Sequence, residues 1–146
     1  MVYTTKSIVR STLTRCNKRR MEVTLPDLQR ILYFVQNQFV LRCGDTCFKE
    51  PFFVWEEGPY LESLLDWCDD STVIPYRRFM TRCRTDPKME KEDIQIVYEV
   101  VDIISGIPKD AMLAIIKRQK PFKKAFKRDS REVLIEDLQE FFKVDG

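Results

Sequence analysis

Apolar residues recur at helical spacing along most of this chain. Ile8, Val9, Thr12, Leu13 and Cys16 stand at i, i+1, i+4, i+5 and i+8, one stripe of an amphipathic helix over residues 4–16. Leu28, Ile31, Leu32, Val35 and Phe39 follow at spacings of three and four. Thr24 suits an N-cap before Leu25 and Pro26, Asp27 puts a carboxylate in the first turn, and Gly44 is a natural stop. This second helix is expected to be the centre of the fold. Ile94, Val97, Tyr98, Val101 and Ile104 predict another helix over residues 90–105, ending at Gly106. Pro108 should open a further one with Met112, Leu113, Ile115 and Ile116 inward, ended by Pro121. A short terminal helix closes the pattern over residues 135–142, with Leu138, Phe141 and Phe142 as its apolar side.

Between these helices the period changes. Phe52-Phe53-Val54-Trp55 is aromatic and β-branched and sits after Pro51, as a short strand or extended edge does, so a small two-stranded element is expected. Pro59, after Glu56-Glu57-Gly58, is expected at the first turn of a helix through Leu61, Leu64, Leu65 and Cys68. Pro75 should open a short helix carrying Phe79 and Met80, and the polar run Arg82 to Lys88 reads as a mobile loop. The expectation is a mainly α fold, a single domain spanning residues 1–146, with about six to seven helices and a small two-stranded β element.

Composition narrows the chemistry. The 146 residues contain no histidine, which removes the usual general base, acyl-transfer relay and commonest zinc ligand together. No Gly-rich phosphate loop, HExxH or GxSxG is present, and the adjacent carboxylates Glu56-Glu57 and Asp69-Asp70 read as solvated turn residues. No enzyme, cofactor or metal site is expected. Cys43 and Cys47 flank a turn, but ordinary thiols are the simpler reading for all five cysteines, which include no CxxC pair. With no apolar leader after Met1 and no run of the length a membrane span needs, a cytoplasmic protein with reduced thiols is expected.

The charge balance of 25 Lys+Arg against 23 Asp+Glu says little, but its distribution does. Lys117, Arg118, Lys120, Lys123, Lys124, Lys127, Arg128 and Arg131 are opposed within their segment only by Asp129 and are interleaved with Phe122 and Phe126. Three readings fit: a solvated helix and loop, a docking face for an acidic protein, and a nucleic-acid footprint.

Leu28-Gln29-Arg30-Ile31-Leu32-Tyr33-Phe34-Val35-Gln36, Phe48 to Trp55 and Glu57-Gly58-Pro59 resemble, in order and spacing, the "LQKLLYYAQ … LF.E.IEAW..GPV" signature of the Panacea, or SocA-like, antitoxin family of phage-associated proteins. Pro121-Phe122-Lys123-Lys124-Ala125 is similar to that family's "PWKKA", and residues 135–142 to its closing "I.NEDIKEYF". The resemblance covers about residues 6–143. It implies a non-enzymatic protein that neutralises a toxin by direct binding, commonly on phages and mobile elements, and one member type acts as a protease adaptor. It implies a protein partner; nucleic-acid binding through the basic 117–131 segment, read from the charge cluster, is the second reading.

The chain departs from the pattern where Tyr60 replaces a small aliphatic residue, where Lys117-Arg118 stand in place of a histidine, and where Phe122 replaces Trp. Leu28, Leu32, Tyr33, Gln36, Trp55, Gly58 and Pro59 are therefore expected to build the scaffold. Partner contacts are expected from Tyr60, Lys117, Arg118, Phe122, Lys123, Lys124 and Arg128, the charges setting the association rate and the aromatics the lifetime.

Overall fold

A computed structural model describes residues 2–143. Its first helix, α1 (Thr5–Lys18), starts where the Thr4 side-chain oxygen accepts the Ser7 N–H, and it buries Ile8, Val9, Leu13 and Cys16 as the spacing predicts. Helix α2 (Leu25–Cys43) begins in a capping box. Thr24 Oγ1 accepts the Asp27 N–H at 3.4 Å, while the Asp27 carboxylate accepts the Thr24 N–H at 2.9 Å. Its end is set by Gly44, left-handed at φ +79, whose N–H reaches the Val40 carbonyl at 2.9 Å.

Helix α2 is the spine, with Leu28, Ile31, Leu32, Tyr33 and Val35 all at 0% exposure. Two of its three buried amide side chains splice neighbouring segments onto it. Gln29 accepts the Leu61 N–H at 3.0 Å and donates to the Leu61 carbonyl at 3.3 Å. Gln36 accepts the Cys47 N–H at 2.7 Å and donates to the Phe48 carbonyl at 3.1 Å. Two non-helical segments thereby satisfy backbone groups that burial would otherwise leave unpaired.

Strands β1 (Phe53–Trp55) and β2 (Gly58–Tyr60) pair antiparallel in the register Phe53 to Tyr60, Val54 to Pro59 and Trp55 to Gly58. The helix expected from Pro59 onward does not form: this stretch is strand, followed by a single 3-10 turn at Glu62–Leu64. Pro59 is tolerated in the ribbon because its partner Val54 turns its own N–H the other way, to the Arg131 carbonyl at 3.0 Å, so no ladder bond is asked of Pro59. The Val133 N–H adds a second bond to the Phe52 carbonyl at 2.8 Å, so residues 131–133 line the free side of β1.

Pro75 precedes α3 (Tyr76–Cys83), which seats Phe79 against Trp67 with ring centroids 4.9 Å apart. The following loop, expected to be mobile, is tied to α1. Thr4 Oγ1 donates to Asp86, Ser7 Oγ to the Pro87 carbonyl at 2.7 Å, and Arg10 to the Asp86 carbonyl at 3.3 Å. Helix α4 (Lys91–Ile104) packs on α1 and α2 and ends through Ser105 rather than a left-handed Gly106.

Helix α5 (Lys109–Arg118) buries Met112 and Ile116, but Ile115 is 40% exposed, against expectation. It does not end at Pro121. Gln119 leaves helical geometry (φ −69, ψ 137), and Pro121 lies in the first turn of a separate helix, α6 (Lys120–Lys127). The break lets the buried Gln119 amide accept the Tyr33 phenol at 3.0 Å and donate to Asn37 Oδ1 at 2.8 Å. Asn37 Nδ2 is the buried side-chain atom left without a partner among the described residues. Helix α7 (Ile135–Phe141) buries Leu138, leaves Phe141 44% exposed, and is tied to α2 by Gln139 donating to the Gly44 carbonyl at 3.1 Å. The described residues thus form a mainly helical single domain of seven helices and one small antiparallel sheet. None of these helices is long and apolar enough to cross a membrane.

Candidate partner-binding face

The basic segment from Lys117 to Arg131 occupies the end of α5, all of α6 and the turn that leads alongside β1. Helix α6 is short and two-sided. Pro121, Phe122 and Ala125 face inward, and Lys120, Lys123, Lys124 and Lys127 face out. Phe122 and Phe126, one turn apart, stack with centroids 6.1 Å apart at 27°. Beside them is a depression of about 310 Å³ lined by these two rings and by Lys117, Lys123 and Lys127.

Not every expected contact residue is available at this face. Phe122 is only 3% exposed and belongs to the core, because the inward side of so short a helix has few other apolar groups with which to anchor it. The half-buried Phe126 carries the aromatic surface outward, and the Arg131 guanidinium covers its ring at 4.3 Å. Lys124 and Arg128 were expected as unopposed rim charges, but α7 brings Asp137 to them. Its carboxylate lies 3.5 Å from Lys124 Nζ and 2.5 Å from Arg128 Nη2. Arg128 also donates to the Glu132 carbonyl at 3.0 Å, so it clamps α6 to the chain that follows.

Lys117, Arg118 and Lys123 are exposed, as are Lys120 and Lys127, and none of the five forms an ion pair among the described residues. Lys127 and Phe126 were not singled out as contact residues from sequence. Their signal was present, since each stands four positions after a residue that was.

Tyr60 lies on the outer face of the ribbon. Its ring stacks on Phe53 at 5.9 Å and meets Trp55 at 5.4 Å, and Trp55 is 40% exposed. Helix α6 packs on β1, so this aromatic ribbon face and the lysine-rimmed depression belong to adjoining elements. Of the signature residues, Leu28, Leu32, Tyr33, Gln36, Gly58 and Pro59 are buried and Trp55 is not.

Among the described residues, thiols and carboxylates form no competing metal-ligand cluster. Burial pushes Cys16 up to about 12 and Cys83 up to about 11, and it carries Cys47, which donates to Gln36 Oε1 at 3.1 Å, higher still. Cys43 is exposed and Cys47 is buried. Among the described residues no three Cys, Asp or Glu side chains converge as metal ligands would.

In comparisons with known proteins, no family model, no curated protein and no solved structure matches this chain.

Proposed function

We propose that this protein is a non-enzymatic, antitoxin-type binding module that neutralises a toxin by direct contact, using the α6 face against an acidic surface of its partner. One structural observation carries the reading: Lys117, Lys123 and Lys127, without ion-pair partners among the described residues, rim an apolar depression floored by stacked phenylalanines. Such a face steers an acidic partner by charge and holds it by desolvated aromatic area. The sequence resemblance to Panacea-type antitoxins supports a toxin as the partner.

The test is co-expression with the product of the neighbouring open reading frame. Rescue of growth and a stable co-purifying complex are expected. The triple variant Lys117→Glu, Lys123→Glu, Lys127→Glu should keep its helical circular dichroism and lose both. No complex with the wild-type chain, or full rescue by the triple variant, would overturn the reading. Tight binding of the wild type to duplex or single-stranded nucleic acid, falling steeply with salt, would replace it with the nucleic-acid alternative.

A further inference from the structure

Helices α1, α3 and α4, none of which contributes to the α6 face, and the loop before α4 line a half-open cavity of about 410 Å³. That volume falls within the roughly 300–1,000 Å³ range of small-molecule sites. Its polar lining is one-sided. Arg10 and Lys88 bring two cations, Ser11, Tyr76 and Tyr98 bring hydroxyls, and no carboxylate lines the cavity among the described residues.

Three nearby acids have partners of their own: Asp86 accepts from the Thr4 hydroxyl, Asp93 from the Tyr3 phenol and Asp102 from the Arg15 guanidinium. Neither Arg10 nor Lys88 forms an ion pair among the described residues. Arg10 spends one N–H on the Asp86 carbonyl at 3.3 Å, which fixes its head and leaves other donors of its fork unspent.

The hydroxyls follow the same pattern. Thr12 and Thr14 fold theirs back onto the Ile8 and Arg10 carbonyls at 2.8 and 2.7 Å. Ser11, between them and 9% exposed, forms no such bond and lines the cavity instead. The Tyr98 ring is held in place by Arg15, whose guanidinium carbon lies 4.9 Å from the ring centroid and is itself anchored on Asp102. An aromatic wall, an unspent hydroxyl and two cations without ion-pair partners among the described residues are thus brought together by three helices and the loop that carries Lys88 before any ligand is present.

We infer that this cavity binds a small organic anion, a flat aromatic or heteroaromatic body carrying a phosphate or carboxylate, with the anion on Arg10 and Lys88 and the ring beside Tyr76 and Tyr98. The site is independent of the toxin-binding reading.

The test is an amide-resolved NMR titration of the full chain with adenosine monophosphate and, separately, with 1-naphthoate. Saturable shifts centred on residues 10–14, 76–80 and 88–98 are expected with at least one of them, and which one responds decides between phosphate and carboxylate. Lys88→Gln, at an exposed position, should weaken that binding about tenfold, the size of one lost charge-assisted contact. Lys123→Glu on α6 should leave it unchanged. Absence of saturable shifts there with both probes would overturn the inference. So would equal binding of adenosine and its monophosphate, or unchanged binding by Lys88→Gln.

Discussion

Gln36 shows how much a single polar side chain can settle inside this core. Its amide is 2% exposed and holds both the Cys47 N–H and the Phe48 carbonyl, so one residue fixes the chain where it leaves α2 and returns across it. Gln36→Leu keeps the volume and strands two buried backbone groups. A loss of about 2–3 kcal/mol is expected in urea unfolding, more than an apolar swap of equal size costs. A change below 0.5 kcal/mol would mean that water replaces the amide (about the scatter of surface substitutions). Sequence periodicity placed Gln36 beside the apolar stripe of α2 but had no means of showing that its partners lie eleven and twelve residues further on.

Among the elements, the ribbon and α6 carry the most decisive geometry. Gly58 adopts φ +119, and a Cβ there would lie 3.2 Å from Leu113 Cδ1 and 3.5 Å from Arg30 Nε. Gly58→Ala therefore adds backbone strain to a close approach between the ribbon turn, α2 and α5. A loss of more than about 1 kcal/mol is expected by thermal or chemical denaturation.

Helix α6 separates stability from binding. Phe122→Ala empties a core position and should cost about 3 kcal/mol or more, whereas Lys123→Glu on the outer side should leave the unfolding midpoint within experimental scatter and weaken complex formation. Equal effects of the two on stability would contradict the two-sided reading of this helix. Phe122 was legible as a departure from the resembled pattern and was expected at the partner surface. That it points inward was not, because the Gln119 break that rotates α6 depends on Tyr33 and Asn37 of a distant helix.

For the whole molecule, the buried neutral acids set the response to alkali. Burial raises Cys16 from 9.0 to about 12 and Cys83 from 9.0 to about 11, and Tyr3, desolvated and bonded to Asp93, from 10.0 to about 12. A group whose folded value lies above its unfolded one stabilises the fold fully below the unfolded value and loses that contribution as pH rises toward the folded one. Stability should therefore hold up to about pH 9 and fall between pH 9 and 12. Urea midpoints measured across that range check it, and Cys16→Ala should flatten the lower part of the decline.

Much of this architecture was written locally. The stripes of α1, α2 and α4, the Thr24 cap, the Gly44 stop and the helix that follows Pro75 all depend on residues within a few positions of one another, where spacing and capping chemistry act directly. The basic segment was equally visible as a run of charge. What the tertiary structure decided was which of those charges remain unpaired and which aromatics remain outside. Asp137 arrives from α7 to neutralise Lys124 and Arg128, Phe122 turns into the core, and Gly58-Pro59-Tyr60 becomes a strand because Val54 bonds to Arg131 instead. Each of these outcomes depends on a partner distant in sequence, and local pattern carries no record of which distant group will fold against it.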